Sequence, residues 1–247
     1  MRKLLLALIV LLAGCASAPL EELPWPDVQA FSANGAGPGL PQGWTPWIVN
    51  RTKAPTAYQL VPDAHTGQVV LRAFAERSAS GLSQRLDVHP SERPVIAWRW
   101  RVVDLISGAD NQDRHSEDAP ARLMLFFEGD RAGLPIREQV LMETAHLLTG
   151  HEPPFATLMY VWENQFAPET LLRNTFTDQV KMIVVGTGRD RIGTWKTVQR
   201  NYVEDYRRAF GSDPGRLVGI GIMTDTDNTG ESVEAFYGDI RLKAAAP

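Results

Sequence analysis

The chain of 247 residues has a single cysteine, Cys15, which excludes an internal disulfide and any thiol nucleophile in the body of the protein. Its five histidines, His65, His89, His115, His146 and His151, form no H-E-x-x-H or other close ligand pair, so zinc hydrolase chemistry of that kind is excluded. There is no G-x-S-x-G elbow and no phosphate-binding loop. No apolar run reaches the roughly twenty residues that a membrane-spanning helix needs. Positive charge is also in short supply: the formal net charge is -4, and loss of Arg2 and Lys3 with a leader would take it to about -6. An acidic chain without a basic face does not bind nucleic acid.

What the chain does have is 44% hydrophobic residues against 22% charged, enough to bury a sizeable core. Its start is the most specific signal. Arg2 and Lys3 precede an apolar run from Leu4 to Leu12, followed by Ala13 and Gly14, the three parts of an export signal. Leu12-Ala13-Gly14-Cys15 resembles the bacterial lipoprotein box, which implies a leader over residues 1–14 and a lipid on Cys15 as the mature N-terminus. Ala16, in the sorting position, implies an outer-membrane lipoprotein of the cell envelope facing the periplasm. Cleavage after Ala16-Ser17-Ala18 as an ordinary secretory peptide is the alternative. Residues 15–41 are rich in Pro, Gly and Ala, with Pro24-Trp25-Pro26 and a glycine run from Gly35 to Gly39, and read as a flexible tether. Residues 42–243 then form a single domain.

That domain reads as mainly β. Short runs rich in β-branched and aromatic residues, bounded by turn residues, predict strands at 58–61, 69–75, 83–88, 95–103, 122–127, 158–162, 180–186, 216–224 and 232–242. Leu123 to Phe127 and Met182 to Val185 are apolar on both faces, as central strands of stacked layers are. A two-sheet antiparallel β-sandwich of jelly-roll type, with two short covering helices, fits this pattern. One helix starts near Pro135, carries Ile136, Val140, Leu141, Leu147 and Leu148 on a stripe, and stops at Gly150; the other is capped at Asn201 and ends at Gly211.

Candidate binding residues come from strand parity. In Trp98-Arg99-Trp100-Arg101 the indoles point to one face and the guanidinium groups to the other. With the tryptophans in the core, Arg99 and Arg101 line the opposite face, where forked hydrogen bonds suit carboxylates or sugar hydroxyls. Arg122 is expected to join them from another strand. So is Asp239, placed opposite the apolar Phe236, Ile240 and Leu242 face of its own strand. Tyr160 and Trp162 share a face and offer rings to stack on sugars, with core packing as the competing reading. A ladder of structural ion pairs competes for the arginines. The loop from Asp225 to Gly230 matches a calcium loop in part, with Asp225, Asp227 and Thr229 at positions one, three and five, but Phe236 stands where a bidentate glutamate is expected. Calcium is therefore the one cofactor considered, and a hairpin turn held by local Asp and Asn hydrogen bonds is the alternative. The stretch through Asp118 reads as a solvated loop.

Several ordered blocks are together similar to the bacterial family labelled domain of unknown function 3047. They are Gly43-Trp44, Trp98 to Arg101, Ala121-Arg122-Leu123, Tyr160-Val161-Trp162, Arg200-Asn201 with Asp205-Tyr206 and Phe210-Gly211, Thr224 to Thr229, and Tyr237 to Ile240. The resemblance covers residues 43–242 and implies no particular activity. The last block also resembles, more loosely, the closing strands of jelly-roll carbohydrate-binding modules.

Three function classes stand: a non-catalytic envelope lipoprotein that binds a glycan, a structural lipoprotein that binds another envelope protein, and a glycan-cleaving enzyme using two of Glu128, Asp130, Glu143, Glu163 and Asp239. The leader makes the first prediction. Cys15→Ser should abolish incorporation of labelled palmitate and release the protein from membranes, and unchanged labelling would remove the lipid anchor from the picture.

Overall fold

Alternation of apolar and polar side chains along strands decides the layering. The computed structural model describes residues 23–189 and 191–245; the leader and Cys15 lie outside the described residues. Within them the strands are β1 (Thr45–Trp47), β2 (Ala57–Pro62), β3 (Val69–Glu76), β4 (Ala79–Val88), β5 (Val95–Val102), β6 (Ala119–Phe127), β7 (Ala156–Glu163), β8 (Leu171–Arg173), β9 (Val180–Thr187), β10 (Lys196–Asn201), β11 (Leu217–Asp225), β12 (Ser232–Tyr237) and β13 (Arg241–Lys243). Helix α1 (Ile136–Thr149) lies between β6 and β7, and α2 (Tyr202–Phe210) follows β10.

Two sheets form a β-sandwich. The larger has the order β1-β4-β11-β6-β7-β9-β8, the smaller β10-β5-β12-β3-β2 with β13 also on β5. Pairing is antiparallel except between β7 and β9, which run parallel. The three strands unmarked by the sequence pattern, β1, β8 and β10, all sit at sheet edges, where half the pairing is absent and the apolar pattern is correspondingly weak.

Between the sheets, Trp98 and Trp100 of β5 meet Tyr160 and Trp162 of β7. The Trp98 and Tyr160 rings lie 5.0 Å apart and those of Trp100 and Trp162 6.4 Å, and all four are essentially buried. Rings of this size each bury on the order of 150–250 Å², and truncating one costs about 3–5 kcal/mol. This contact is what clamps the layers.

Helix α2 closes one end of the core. Asn201 accepts from the Val203 and Glu204 amides, which supplies the expected cap, and Tyr206 stacks on Phe127 at 4.7 Å. Both helices end at a left-handed glycine, Gly150 and Gly211. The apolar stripe of α1 behaves differently: Ile136, Val140, Leu147 and Leu148 face solvent.

The outer face of the larger sheet is apolar too. Met124, Phe126 and Met223 are buried there among Trp47, Val49 and Met159, beside Val161, Leu172, Met182 and Val184.

The expected tether needs correction over residues 23–41. The Trp25 amide donates to the Arg85 carbonyl at 3.0 Å and the Gly37 amide to the Leu60 carbonyl at 2.9 Å. Phe31 is buried and stacks on Trp44 at 5.1 Å. Apolar anchors scattered among Pro and Gly bind this stretch to the sandwich; composition alone hid them.

Candidate functional site

Burial of Trp98 and Trp100 turns Arg99 and Arg101 to the outer face of the smaller sheet, and that face is half-open. Trp195 precedes β10 in the register that places Lys196 opposite Trp100, so it lies beside Arg101. The Arg99 guanidinium sits 4.5 Å from the Trp195 ring. That of Arg101 lies between two rings, 4.2 Å from Phe236 and 5.6 Å from Trp195. Each such stack contributes about 0.5–2 kcal/mol and orients the cation.

The row continues across β12 and β3. Arg72 is opposite Phe236 and is held by Glu234. Arg99 reaches over Gly238 to the β2–β3 hairpin, where its Nη2 donates to Gln68 Oε1 at 3.1 Å. A Cβ on Gly238 would meet the Arg99 side chain at 2.5 Å, so only glycine there lets the arginine lie flat across the sheet.

Hydrogen-bonding capacity on this face is left over. Arg101 Nε and Trp195 Nε1, both shielded from solvent, have no acceptor, and the equally shielded Asp63 Oδ2 has no donor; the last is 4.0 Å from Arg99 Nη2. Burial would raise the Asp63 carboxyl, but donation from the His65 amide and Thr66, with Arg99 and Arg101 nearby, outweighs it and holds Asp63 below the usual range. The carboxylate is thus charged, and the face combines the guanidinium groups of Arg72, Arg99 and Arg101, the rings of Trp195, Phe236 and Phe74, the last 5.7 Å from the Arg72 guanidinium, and the two acids Asp63 and Glu234.

The other residues expected on that face are elsewhere. Arg122 lies on the larger sheet, where it is buried. Its Nε and Nη2 donate to Asp225 at 2.9 and 3.2 Å, and Nη2 also donates to the Glu117 carbonyl at 2.8 Å. Tyr160 and Trp162 belong to the core, with the Tyr160 hydroxyl donating to Asp205 at 2.8 Å. Asp239 accepts from the Ser32 amide at 3.0 Å and hydroxyl at 2.6 Å, so it fastens the N-terminal stretch.

Parity failed for Phe236 because the last strand is broken. Tyr237 pairs with Trp100 and Arg241 with Ala97, so two residues of β5 face three residues, 238–240. The extra residue reverses the alternation, sending Phe236 outward while Ile240 and Leu242 stay in the core. Trp195, Arg72 and Asp63 were missed for a different reason. Trp195 lies outside every predicted strand, and Arg72 on β3 and Asp63 after β2 reach this face only through the strand order β10-β5-β12-β3-β2, which no local pattern shows.

A second cluster forms at the other candidate loop. Oxygens of Asp118, Asp225 and Asp227 all lie within 4.8 Å of one another. Asp118, expected in a solvated loop, is fully buried and accepts from the Thr229 amide and hydroxyl, both at 2.7 Å. Thr229 therefore points at Asp118, and the 225–230 loop does not supply three ligands by itself. Arg122 contacts Asp225, and Lys53 meets Asp227, both at 2.9 Å.

Two of the carboxylates proposed for glycan cleavage are engaged in local hydrogen bonds. Glu163 is buried, receiving the Gln165 and Phe166 amides at 2.5 and 3.0 Å, and Asp130 accepts from the Ala132 amide at 3.0 Å. Glu143 lines a shallow cleft of about 350 Å³ with Arg131, His146 and Glu152.

A family model described as protein of unknown function (DUF3047) matches residues 42–241. No curated protein matches the sequence. Among solved structures, the chain is similar to a β-1,2-glucanase from Parabacteroides distasonis, at 12% identity and a TM-score of 0.37, covering 82% of this chain and 23% of that one. It is also similar to the xyloglucanase domain of NopAA from Sinorhizobium fredii in complex with cellobiose, at 7% and 0.44, covering 90% and 100%. A third is Endoglucanase 3 of family GH12 from Trichoderma harzianum, at 8% and 0.37, covering 85% and 94%. The chain spans less than a quarter of the glucanase's length, and at these values the likeness concerns architecture only.

The buried acid cluster makes a pH prediction. Burial, with repulsion from Asp118 and Asp227, pushes Asp225 up to about 7 despite the pull of Arg122. The unfolded carboxyl titrates near pH 4, so between about pH 4 and 7 the folded state keeps a proton that the unfolded chain has released. Stability from this group is complete at the acid end and is lost as pH rises towards 7. In urea melts, the wild type should lose more stability from pH 5 to 8 than Asp227→Asn, which lacks one repelling carboxylate. Equal losses would show that Asp225 is ionised throughout.

Proposed function

The chain belongs to the DUF3047 family of proteins of unknown function, and we propose that it is an envelope lipoprotein whose smaller sheet binds an acidic glycan without cleaving it. The observation that carries this reading is Arg101 held between Trp195 and Phe236 with no acceptor for its Nε. A structural ion pair would have supplied that acceptor. Arg99 and Arg72 extend the cationic row, and the rings between them provide flat apolar surfaces for the faces of sugar rings. A uronic acid satisfies both elements: its carboxylate takes a guanidinium fork and its ring stacks on an indole.

Anchoring by Cys15 and an outer-membrane location are part of this proposal and rest on the leader sequence. They would keep the binding face at the membrane, where envelope glycans are concentrated.

The test is calorimetric titration with uronic-acid oligosaccharides. A lost charge-assisted contact is worth about 1.5–3 kcal/mol, so Arg101→Ala and Trp195→Ala should each weaken binding about tenfold or more. Their melting temperatures should stay close to that of the wild type, since both residues are partly exposed. Unchanged affinity, or unfolding of Arg101→Ala, would make the row structural and end the glycan reading.

Convergence of Asp118, Asp225 and Asp227 supports a second proposal, a structural calcium ion that displaces Lys53 from Asp227. Oxygens within 4.8 Å of one another suit ligands held about 2.3–2.6 Å from a shared ion. Calcium at a hundredfold excess over its dissociation constant should then stabilise the fold by about 2.7 kcal/mol, and chelator should lower the melting temperature. Identical melts in calcium and in chelator would leave Lys53 and Arg122 as the cluster's counter-charges.

A further inference from the structure

Helix α1 is built with its apolar residues on the wrong side for a soluble surface. Ile136, Val140, Leu147 and Leu148 are exposed by 79%, 58%, 74% and 68%, while the one buried residue of the helix is Glu138. At 3.6 residues per turn, Ile136, Val140 and Leu147 fall within an arc of about 40°, so they form an outward stripe, with the exposed Glu143 about 20° outside it. The orientation is fixed from both ends. Glu138 accepts from the Thr177 hydroxyl and Arg137 Nη2 donates to the Phe176 carbonyl at 3.1 Å, tying the first turn to the β8–β9 loop. Arg51 Nη2 donates to the Thr149 carbonyl at 2.8 Å, tying the last turn to the loop after β1. These loops belong to opposite edges of the larger sheet, so the helix cannot roll its stripe inward without breaking both ties.

We propose that this stripe is a membrane-docking surface that lies in the interface of a phospholipid bilayer. Three observations favour a bilayer over a protein groove. Phe176, itself 48% exposed, adjoins the first turn and is flanked by Arg137 and by Arg114, whose guanidinium is 5.4 Å from its ring. An aromatic at the rim of an apolar stripe with arginines beside it is the pattern of a helix lying in a lipid interface, the cations meeting anionic headgroups. The stripe also runs parallel to the helix axis, with the cleft at Glu143 and His146 along one flank, and a straight stripe suits a flat surface. Finally, Trp25 runs along β4 at Arg85 and Leu86. By the register of β4, β11 and β6, that is the sheet end from which the α1 segment leaves β6. The seven residues between Cys15 and Leu23 make eight Cα steps that span at most about 28 Å, so a lipid on Cys15 would hold that sheet end within reach of the bilayer. This last point rests on the lipoprotein reading of the proposed function; the first two do not. Among the described residues no helix is long and apolar enough to cross a membrane, which leaves a helix lying on the surface.

The test uses a chain beginning at Ala16, which keeps every described residue and lacks both leader and acylated cysteine. It is floated with vesicles of phosphatidylethanolamine and phosphatidylglycerol. The chain should float weakly, and Val140→Asp with Leu147→Asp should reduce the bound fraction about tenfold with an unchanged melting temperature, because both side chains are already in water. Arg101→Ala, on the opposite sheet, should float like the parent. Absence of flotation by the parent, or equal flotation by the double variant, would overturn the proposal. A concentration-dependent dimer dispersed by the double variant would overturn it too, making a second copy the occupant. Should the full-length protein take up no palmitate while the Ala16 chain still floats, the helix reading is supported and only the anchor falls.

Discussion

The contact on which the molecule depends is the aromatic clamp between β5 and β7. Trp98 on Tyr160 and Trp100 on Trp162 fix the separation of the two sheets, and they also fix what faces outward. A strand has only two sides, so each indole committed to the core commits an arginine to the surface. The arginine face of the smaller sheet is in this sense a by-product of core packing: Arg99 and Arg101 are outside because their neighbours are inside. What makes the face specific is added by other segments, Trp195 before β10, Phe236 beyond the bulge and Gly238 beneath Arg99.

The two sheets treat arginine in opposite ways. On the smaller one, guanidinium groups rest on rings and keep donor capacity in reserve. On the larger one Arg122 is fully surrounded. Burial alone would pull its proton off, but Asp225 and Glu117 outweigh that and keep the cation charged. Removing a partner from such a pair leaves an uncompensated buried charge, at a cost of about 3–5 kcal/mol. Arg122 therefore ties the loop at Asp118 and the end of β11 into one unit, as Arg200 does at the opposite end by pairing with Asp205 beneath Tyr160 at 2.7–2.8 Å. These pairs specify how loops dock, whereas the row on the smaller sheet stays half-open to solvent.

Helix α1 and the N-terminal stretch show where local pattern misleads. The stripe of α1 looks like a core-facing stripe because periodicity records only that apolar residues share a side. Which side depends on Glu138 and Arg51, whose partners are distant in sequence. Residues 23–41 look like a linker because proline and glycine dominate their composition, yet Trp25, Val28 and Phe31 are enough to bind them to the sandwich.

By itself the sequence determined the mainly β architecture, the capped helix after Asn201 and the outward turn of Arg99 and Arg101. All of these rest on short-range rules: a run of apolar residues, a two-residue alternation, a cap four residues long. Only the tertiary structure decided which charged groups meet. Strand order placed Arg122 on the other sheet from Arg99, a single extra residue at 238–240 turned Phe236 from core to surface, and docking of the loop after Asp110 buried Asp118 beside Asp225. Those outcomes depend on pairings between residues separated by tens to hundreds of positions, and no local periodicity carries that information.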